Sequence, residues 1–391
     1  MPAMNTNTAS RSLFSAPLWA LGFRPFFILA GAFAVVAMVI WAFVLAGHGP
    51  MLGFLWHGHE MVFGYTGAVI AGFILTAASN WTKRPTLVRG WLAAIALVWV
   101  SARVVVALGG APDGLKAALC AGFFVFLAIG VGRPIIATRK KRNYGIIGVL
   151  SVFAALELVY WLAPAMRVHA LEAALLFIMV LIAIIGGRVL PAFTRNATSG
   201  LRVRPNGLWR DRAGMGALVA LAILVFIPQT PVWLIAAVAA FSALAHGLRM
   251  FGWGGETTLR RPILWVLHGA YLFLPSGLAL MAAEACGAPI PFWVPMHVLA
   301  VGALGVMTLG MMTRVTLGHT GRLIVANKVT TLAYGLLIAA VVVRAGGPFL
   351  GASSWQTVMV LAAALWALAF LIFIVGYTGK LLAPRPDGKP G

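Results

Sequence analysis

The sequence is poor in charge, and poorest in negative charge. Only 9% of its 391 residues are charged, and 29 Lys and Arg stand against 8 Asp and Glu. A soluble domain keeps about a quarter of its residues charged. Because 62% of the chain is hydrophobic and no stretch is polar enough to form a separate soluble domain, the composition excludes a water-soluble protein and predicts a membrane protein.

Cysteine is also scarce. The two cysteines, Cys120 and Cys286, form neither a CxxC nor a CxxCH motif. A thioredoxin-like redox site and covalently attached c-type haem are therefore unsupported, and we expect both thiols to be buried bystanders. The N-terminus lacks the short apolar core and cleavage site of a signal peptide, so the first apolar run is expected to stay as a membrane anchor.

Apolar runs of about 20 residues, enough to cross roughly 30 Å of hydrocarbon, are abundant. Each must be helical, because an isolated strand would leave backbone groups unsatisfied in lipid. We therefore expect an all-α polytopic membrane protein with one transmembrane domain over 22–380 and short cytoplasmic tails at 1–21 and 381–391. The twelve predicted spans are 22–47, 53–78, 91–110, 115–137, 145–163, 169–193, 213–228, 231–250, 262–285, 291–313, 328–345 and 355–380.

The net charge of +21 is concentrated in short clusters between these runs. The clusters follow spans 2, 4, 6, 8 and 10, whereas the loops on the opposite side carry almost no Lys or Arg. The positive-inside rule therefore predicts that both termini are cytoplasmic. The charge therefore indicates topology in a lipid bilayer, and we expect no nucleic-acid partner. The clusters are Lys83/Arg84/Arg89, Arg139/Lys140/Lys141/Arg142, Arg195/Arg202/Arg204/Arg210/Arg212, Arg260/Arg261 and Arg314/Arg322/Lys328.

Six of the eight histidines are predicted to lie at membrane depth. Ionisable side chains there are costly and are candidates for function, and imidazole is a common ligand of haem iron and copper. A hydrogen-bonded core histidine is the alternative for any one of them. By predicted depth, these candidate metal and cofactor ligands form two sets. The outer set is His57, His59 and His297, and the inner set is His246, His268 and His319.

The densest cluster is Trp56-His57-Gly58-His59-Glu60-Met61. Residues two apart in a helix point about 200° apart, so His57 and His59 cannot both face one metal unless Gly58 lets the turn unwind. Glu60 shares a helical face with His57, and we expect it to orient that ring rather than to bind a metal. An interfacial belt of His and Trp is the alternative.

Charged residues complete the candidate site. Arg188, Arg314 and Arg322 lie near the inner set and could bind haem propionates, although a topological role also explains them. Arg103 and Glu157 are each about twelve residues into helices that run outward. We therefore expect them to form a structural ion pair, with a proton path as the alternative.

Several of these motifs resemble the NnrS family, and the likeness runs from about residue 20 to 378. It implies a twelve-helix bacterial inner-membrane protein that contains haem b and copper. The family is associated with nitric oxide metabolism and nitrosative-stress resistance, often beside denitrification genes. The motifs are Gly22-Phe23-Arg24-Pro25-Phe26-Phe27, Trp56 to Met61 with Gly64, Gly72-Phe73-Ile74-Leu75-Thr76, Asn80-Trp81-Thr82, Arg188 to Asn196 and Met312 to Arg322.

The resemblance leaves the chemistry open. The leading hypothesis is a metalloprotein that binds nitric oxide or its iron-nitrosyl products and that could be of oxidoreductase type. Haem iron and copper can carry out redox chemistry that bare side chains cannot. A transporter or a haem- or metal-handling protein without redox turnover is the alternative. Neither the reaction, the electron donor nor the metal taken by each histidine follows from the sequence.

Overall fold

The computed structural model describes residues 13–48, 53–108, 110–198, 203, 207–351 and 355–389. Over these residues it contains helices and no strand, which confirms the all-α prediction. The twelve long helices lie within a few residues of the predicted spans. They are α1 Phe23–Leu45, α2 Phe54–Thr82, α3 Arg89–Ala107, α4 Asp113–Ala137, α5 Tyr144–Leu162, α6 Arg167–Ala197, α7 Leu208–Phe226, α8 Val232–Met250, α9 Pro262–Ala285, α10 Trp293–His319, α11 Lys328–Gly346 and α12 Trp355–Leu382.

Eleven of these helices are long and apolar enough to cross a membrane. The remaining helix, α7, carries Asp211 and Arg212 in its first turns, so less of its length is matched to hydrocarbon. The chain is therefore a multi-pass membrane protein with eleven to twelve apolar helices.

Two helices, α2 and α10, form the centre of the bundle. In their most apolar windows 83% and 78% of the residues are buried, against 33% for α1, α8 and α11. The two central helices are joined directly by a 2.6 Å hydrogen bond between the Tyr65 and Thr308 hydroxyls. Side chains on the inner faces of α2 and α10 are therefore held in fixed positions.

Both central helices also contain a π-helical segment. In α2 the segment Glu60–Tyr65 follows His59 directly, and in α10 the segment Val298–Val306 follows His297 directly. π-Helical turns are rare and occur frequently at functional sites. Because a π turn holds more residues than an α turn, each segment changes the directions in which the side chains after the histidine point.

The first and last helices are joined at one end of the bundle. Arg24 is fully buried, and its Nη1 donates to the carbonyls of Leu381 (2.6 Å) and Ala383 (2.8 Å). A cation at a helix C-terminus is stabilised by the helix dipole. Residues 1–12 and 390–391 of the predicted tails, and Arg202 and Arg204 of the predicted basic loop, lie outside the described residues, and the cytoplasmic placement of both tails stays a prediction.

Candidate functional site

His57 and His59 face different surroundings. The His57 ring stacks on Trp41 with 4.6 Å between centroids and 9° between planes. His59 is fully buried, with its ring 4.6 Å from Tyr160 and edge-on to Trp161 at 4.9 Å. The segment Phe54–His59 is a regular α-helix, so Gly58 does not unwind the turn. Helical geometry therefore separates the two histidines, as the sequence predicted.

His59 lies between two buried carboxylates. Its Nδ1 is 2.8 Å from Glu60 Oε1, and its Nε2 is 2.8 Å from Glu157 Oε2. Arg103 Nη1 donates to the same Glu60 oxygen at 2.6 Å. We call His59, Glu60, Arg103, Cys120 and Glu157 the His59 cluster; it joins α2, α3, α4 and α5, and none of its side chains is more than 8% exposed.

Cys120 belongs to the same cluster. Arg103 Nη2 donates to its Sγ at 3.4 Å, and ligand atoms of His59, Cys120 and Glu157 all lie within 4.8 Å of one another. Glu157 Oε1 is buried and has no hydrogen-bond partner among the described residues. The cluster therefore brings together imidazole, thiol and carboxylate, a combination that metal sites use.

Three expectations about these residues change. Arg103 pairs directly with Glu60, while Glu157 bonds to His59, so the expected Arg103–Glu157 contact is replaced by a network that contains both. Glu60 contacts the neighbouring His59, and its carboxylate is also held by Arg103 from α3; no contact with His57 is present among the described residues. Cys120 is buried within the cluster, and the prediction that Cys286 is buried is wrong, because this thiol is exposed.

The second grouping, which we call the outer pair, consists of His57 on α2 and His297 on α10. His297 Nδ1 lies 2.7 Å from the Trp293 carbonyl and so carries the proton, which leaves Nε2 as the ring nitrogen that can bind a ligand. His57 Nδ1 is buried and, within the described part of the chain, has no hydrogen-bond partner. The two rings lie within electrostatic range of each other and of Arg344 on α11.

Arg344 adds a cation to the outer pair. Its Nη1 is buried without a hydrogen-bond partner in the ranges that the structure describes, and its guanidinium lies 5.5 Å from the Trp355 ring. No sequence signal distinguishes Arg344 from the other arginines, since α11 carries no motif and its packing on α10 is a tertiary contact.

On the inner side, His246 is fully hydrogen-bonded by protein. Tyr271 lies 2.9 Å from its Nδ1, and the Gly214 carbonyl lies 3.2 Å from its Nε2. Arg249, which belongs to none of the motifs, donates to the Tyr271 hydroxyl at 2.9 Å and to Asp211 at 2.7 Å. This geometry is typical of a histidine that stabilises helix packing.

The other two inner histidines lie in different surroundings. His268 Nε2 is 2.9 Å from the Thr194 hydroxyl, which itself donates to the Leu190 carbonyl. His319 packs against Phe23 at the start of α1, with ring centroids 5.6 Å apart. The three inner histidines therefore have different hydrogen-bond and ring partners, and their role as metal ligands stays a prediction.

The three predicted arginines have other partners. Arg188 donates to the Asn143 side chain (2.9 Å) and the Arg142 carbonyl (3.0 Å). Arg314 lies over the Phe193 ring at 3.8 Å, and Arg322 donates to the Thr320 carbonyl at 3.3 Å. Their contacts hold loops and helix ends in place, and none of these contacts is to an inner histidine.

An apolar cavity lies between α1, α2, α6 and α10. Thr66 and Thr308 line it, but both hydroxyls already donate to backbone carbonyls at 2.8–2.9 Å. The rest of its wall is almost wholly apolar and includes Phe27, Ile70, Ile178, Ile182, Met307 and Met311. Such a space suits a small uncharged molecule and disfavours an ion.

Comparison with known proteins agrees with the motif resemblance. The model of one protein family, described as NnrS protein, matches residues 17–385. A search of curated proteins gives no match. Because the family match covers nearly the whole chain, from before α1 to beyond α12, this multi-pass membrane protein belongs to the NnrS family.

Proposed function

We propose that this protein is a haem- and copper-containing protein of the bacterial inner membrane that acts in nitric oxide metabolism and nitrosative-stress resistance. The observation that carries the proposal is the outer pair, in which the two central helices each bring one histidine to the same region. Family membership supports the nitric oxide role.

The residues of the outer pair fit a haem. A metal-bound histidine usually donates its second ring N–H to a carbonyl or carboxylate, and His297 has this arrangement with Trp293. His57 and His297 would hold the iron, and the buried N–H of Arg344 could donate to a propionate. A bound haem would supply an iron atom that binds nitric oxide, and the protein orients the His297 imidazole through the Trp293 carbonyl.

The apolar cavity supports nitric oxide as the ligand. The molecule is small and uncharged, so burial in apolar surroundings costs it little, whereas nitrite or nitrate would lose its hydration. His246 is not part of the proposal, because both of its ring nitrogens are held by protein hydrogen bonds.

The test is the optical spectrum and haem content of the purified protein. We expect a stoichiometric b-type Soret band in the wild type, and loss of most of it in His57→Ala and in His297→Ala. His48→Ala, which changes an exposed histidine, is the matched control and should keep its haem. A folded wild type without haem would refute the proposal and favour the transporter alternative.

A further inference from the structure

We propose that His59, Cys120 and Glu157 bind the copper ion, while Glu60 and Arg103 position the ligands and set the charge of the site. The inference rests on the proposed function for the presence of copper. It assigns the two neighbouring histidines of α2 to two different centres, with His57 in the outer pair and His59 in the copper site.

The donor atoms are close enough to share one ion. Bonds from nitrogen, oxygen and thiolate sulfur to a comparable ion, zinc, are about 2.0–2.3 Å, so two donors of one ion lie at most about 4.6 Å apart. Separations within 4.8 Å therefore need only small side-chain movements. Among the described residues, this is the one group of three His, Cys, Asp or Glu with such spacing. Thiolate and imidazole together favour copper over magnesium or calcium.

His59 is oriented as a ligand. Glu60 accepts from Nδ1 and is itself held by Arg103, which is the carboxylate–histidine–metal arrangement seen in many metal sites. The other ring nitrogen, Nε2, then lies 2.8 Å from Glu157 Oε2. A neutral imidazole has only one N–H and an ionised carboxylate only accepts, so the 2.8 Å contact requires one further proton. A metal ion can replace that proton if Nε2 and Glu157 Oε2 move slightly apart.

The charge of the His59 cluster also calls for one cation. Ionised Glu60 and Glu157 give two negative charges and Arg103 gives one positive charge, which leaves one negative charge uncompensated at membrane depth. An uncompensated buried charge is strongly unfavourable. Cu(II) bound by the Cys120 thiolate balances it, because the thiolate adds one negative charge and the ion adds two positive charges. The partnerless Oε1 of Glu157 offers a further donor.

The surroundings keep water out. Phe63, Tyr160 and Trp161 lie around the His59 ring at 4.6–5.3 Å between centroids. Arg167 covers Tyr160 and Trp161, donating to the Tyr160 carbonyl at 3.0 Å and to Asp113 at 3.0 Å. A dry pocket with soft and nitrogen donors stabilises bound copper against exchange with water.

The experiment measures copper and haem in the same full-length preparations, after anaerobic loading with Cu(I). We expect Cys120→Ser and Glu157→Gln each to lower the copper-to-protein ratio at least tenfold, with the haem-to-protein ratio unchanged. Cys286→Ser and Glu172→Gln change the same residue types outside the cluster and should keep both metals. X-ray absorption of the wild type should show a Cu–S bond that Cys120→Ser removes.

The outcomes separate this inference from the proposed function. A wild type that binds haem but no Cu(I) would overturn the copper part of the proposed function, and the assignment with it. If both variants keep the copper content and the X-ray absorption spectrum of the wild type, the assignment alone is overturned. His59 is then an imidazolium between two carboxylates. If the variants do not fold, a wild-type spectrum without sulfur or imidazole scattering would also overturn it.

Discussion

Replacing Glu60 by glutamine separates the charge of the His59 cluster from its shape. The amide side chain would keep the size of the carboxylate and an oxygen that can accept from His59. The cluster would then hold Glu157 as its only carboxylate, balanced by Arg103, and the electrostatic requirement for another cation would be removed. We therefore expect Glu60→Gln to fold, to keep its haem and to bind Cu(I) more weakly.

The size of the effect follows from the geometry. Glu60 Oε1 lies 2.8 Å from His59 Nδ1, and the ring plus one metal–nitrogen bond brings the distance to the ion to about 7 Å. At an effective dielectric of about 20, one unit charge at that distance contributes roughly 2.4 kcal/mol. The predicted loss of Cu(I) affinity is therefore roughly sixtyfold, within the range of 10- to 100-fold typical of residues that orient a ligand.

A chelator competition assay measures the change in Cu(I) affinity. The Arg103→Gln variant is compared in the same assay to separate the effect of charge from the effect of the lost contact. Both variants remove the ion pair between Arg103 and Glu60, but Arg103→Gln makes the cluster more negative and so should not weaken Cu(I) binding through charge. Loss of an anion beside an oxidised metal also makes reduction easier, so Glu60→Gln should raise the copper midpoint potential. Equal losses of affinity in both variants would refute the charge argument, and complete copper loss in Glu60→Gln alone would make Glu60 a ligand.

Four further outcomes are expected. A reporter fused after Lys380 should stay cytoplasmic and one inserted near Pro228 should be exported; an exported C-terminal reporter would contradict the orientation. His246→Ala should keep haem and copper, as metal analysis would show. Chemical denaturation should show a free energy of unfolding about 1–3 kcal/mol lower, because the substitution leaves buried hydrogen-bond partners unsatisfied. Gly64→Ala should destabilise the fold by about 1–3 kcal/mol, because the added Cβ would lie 2.6 Å from Arg103 Nη1. A melting temperature equal to that of the wild type would contradict this. Tyr65→Phe should lower the free energy of unfolding by about 1 kcal/mol, because it removes the hydrogen bond to Thr308 of α10. Chemical denaturation measures this change.

The number and positions of the helices could be predicted because hydrocarbon thickness fixes the length of an apolar run. The opposite directions of His57 and His59 could be predicted too, since they depend only on helical geometry. The partners of Glu60 could not, because they depend on the orientation of its side chain and on the packing of α3, which brings Arg103 to it. Cys120 was passed over for a similar reason: it lies in no motif, and only the packing of α4 against α2 and α5 brings it to His59.

The placement of acidic residues is the strongest argument that the His59 cluster has a function. The chain contains only 8 Asp and Glu in 391 residues, and two of them, Glu60 and Glu157, flank one imidazole in the fully buried interior. Stable packing does not require this, since replacing a buried ionic network by well-packed apolar residues is often neutral or stabilising. A buried cluster that costs stability and takes up one added positive charge, a proton or a metal ion, is expected where binding that charge is part of the function. The same helical turn that stacks His57 on Trp41 directs His59 into this cluster, so two centres can lie side by side without sharing a ligand.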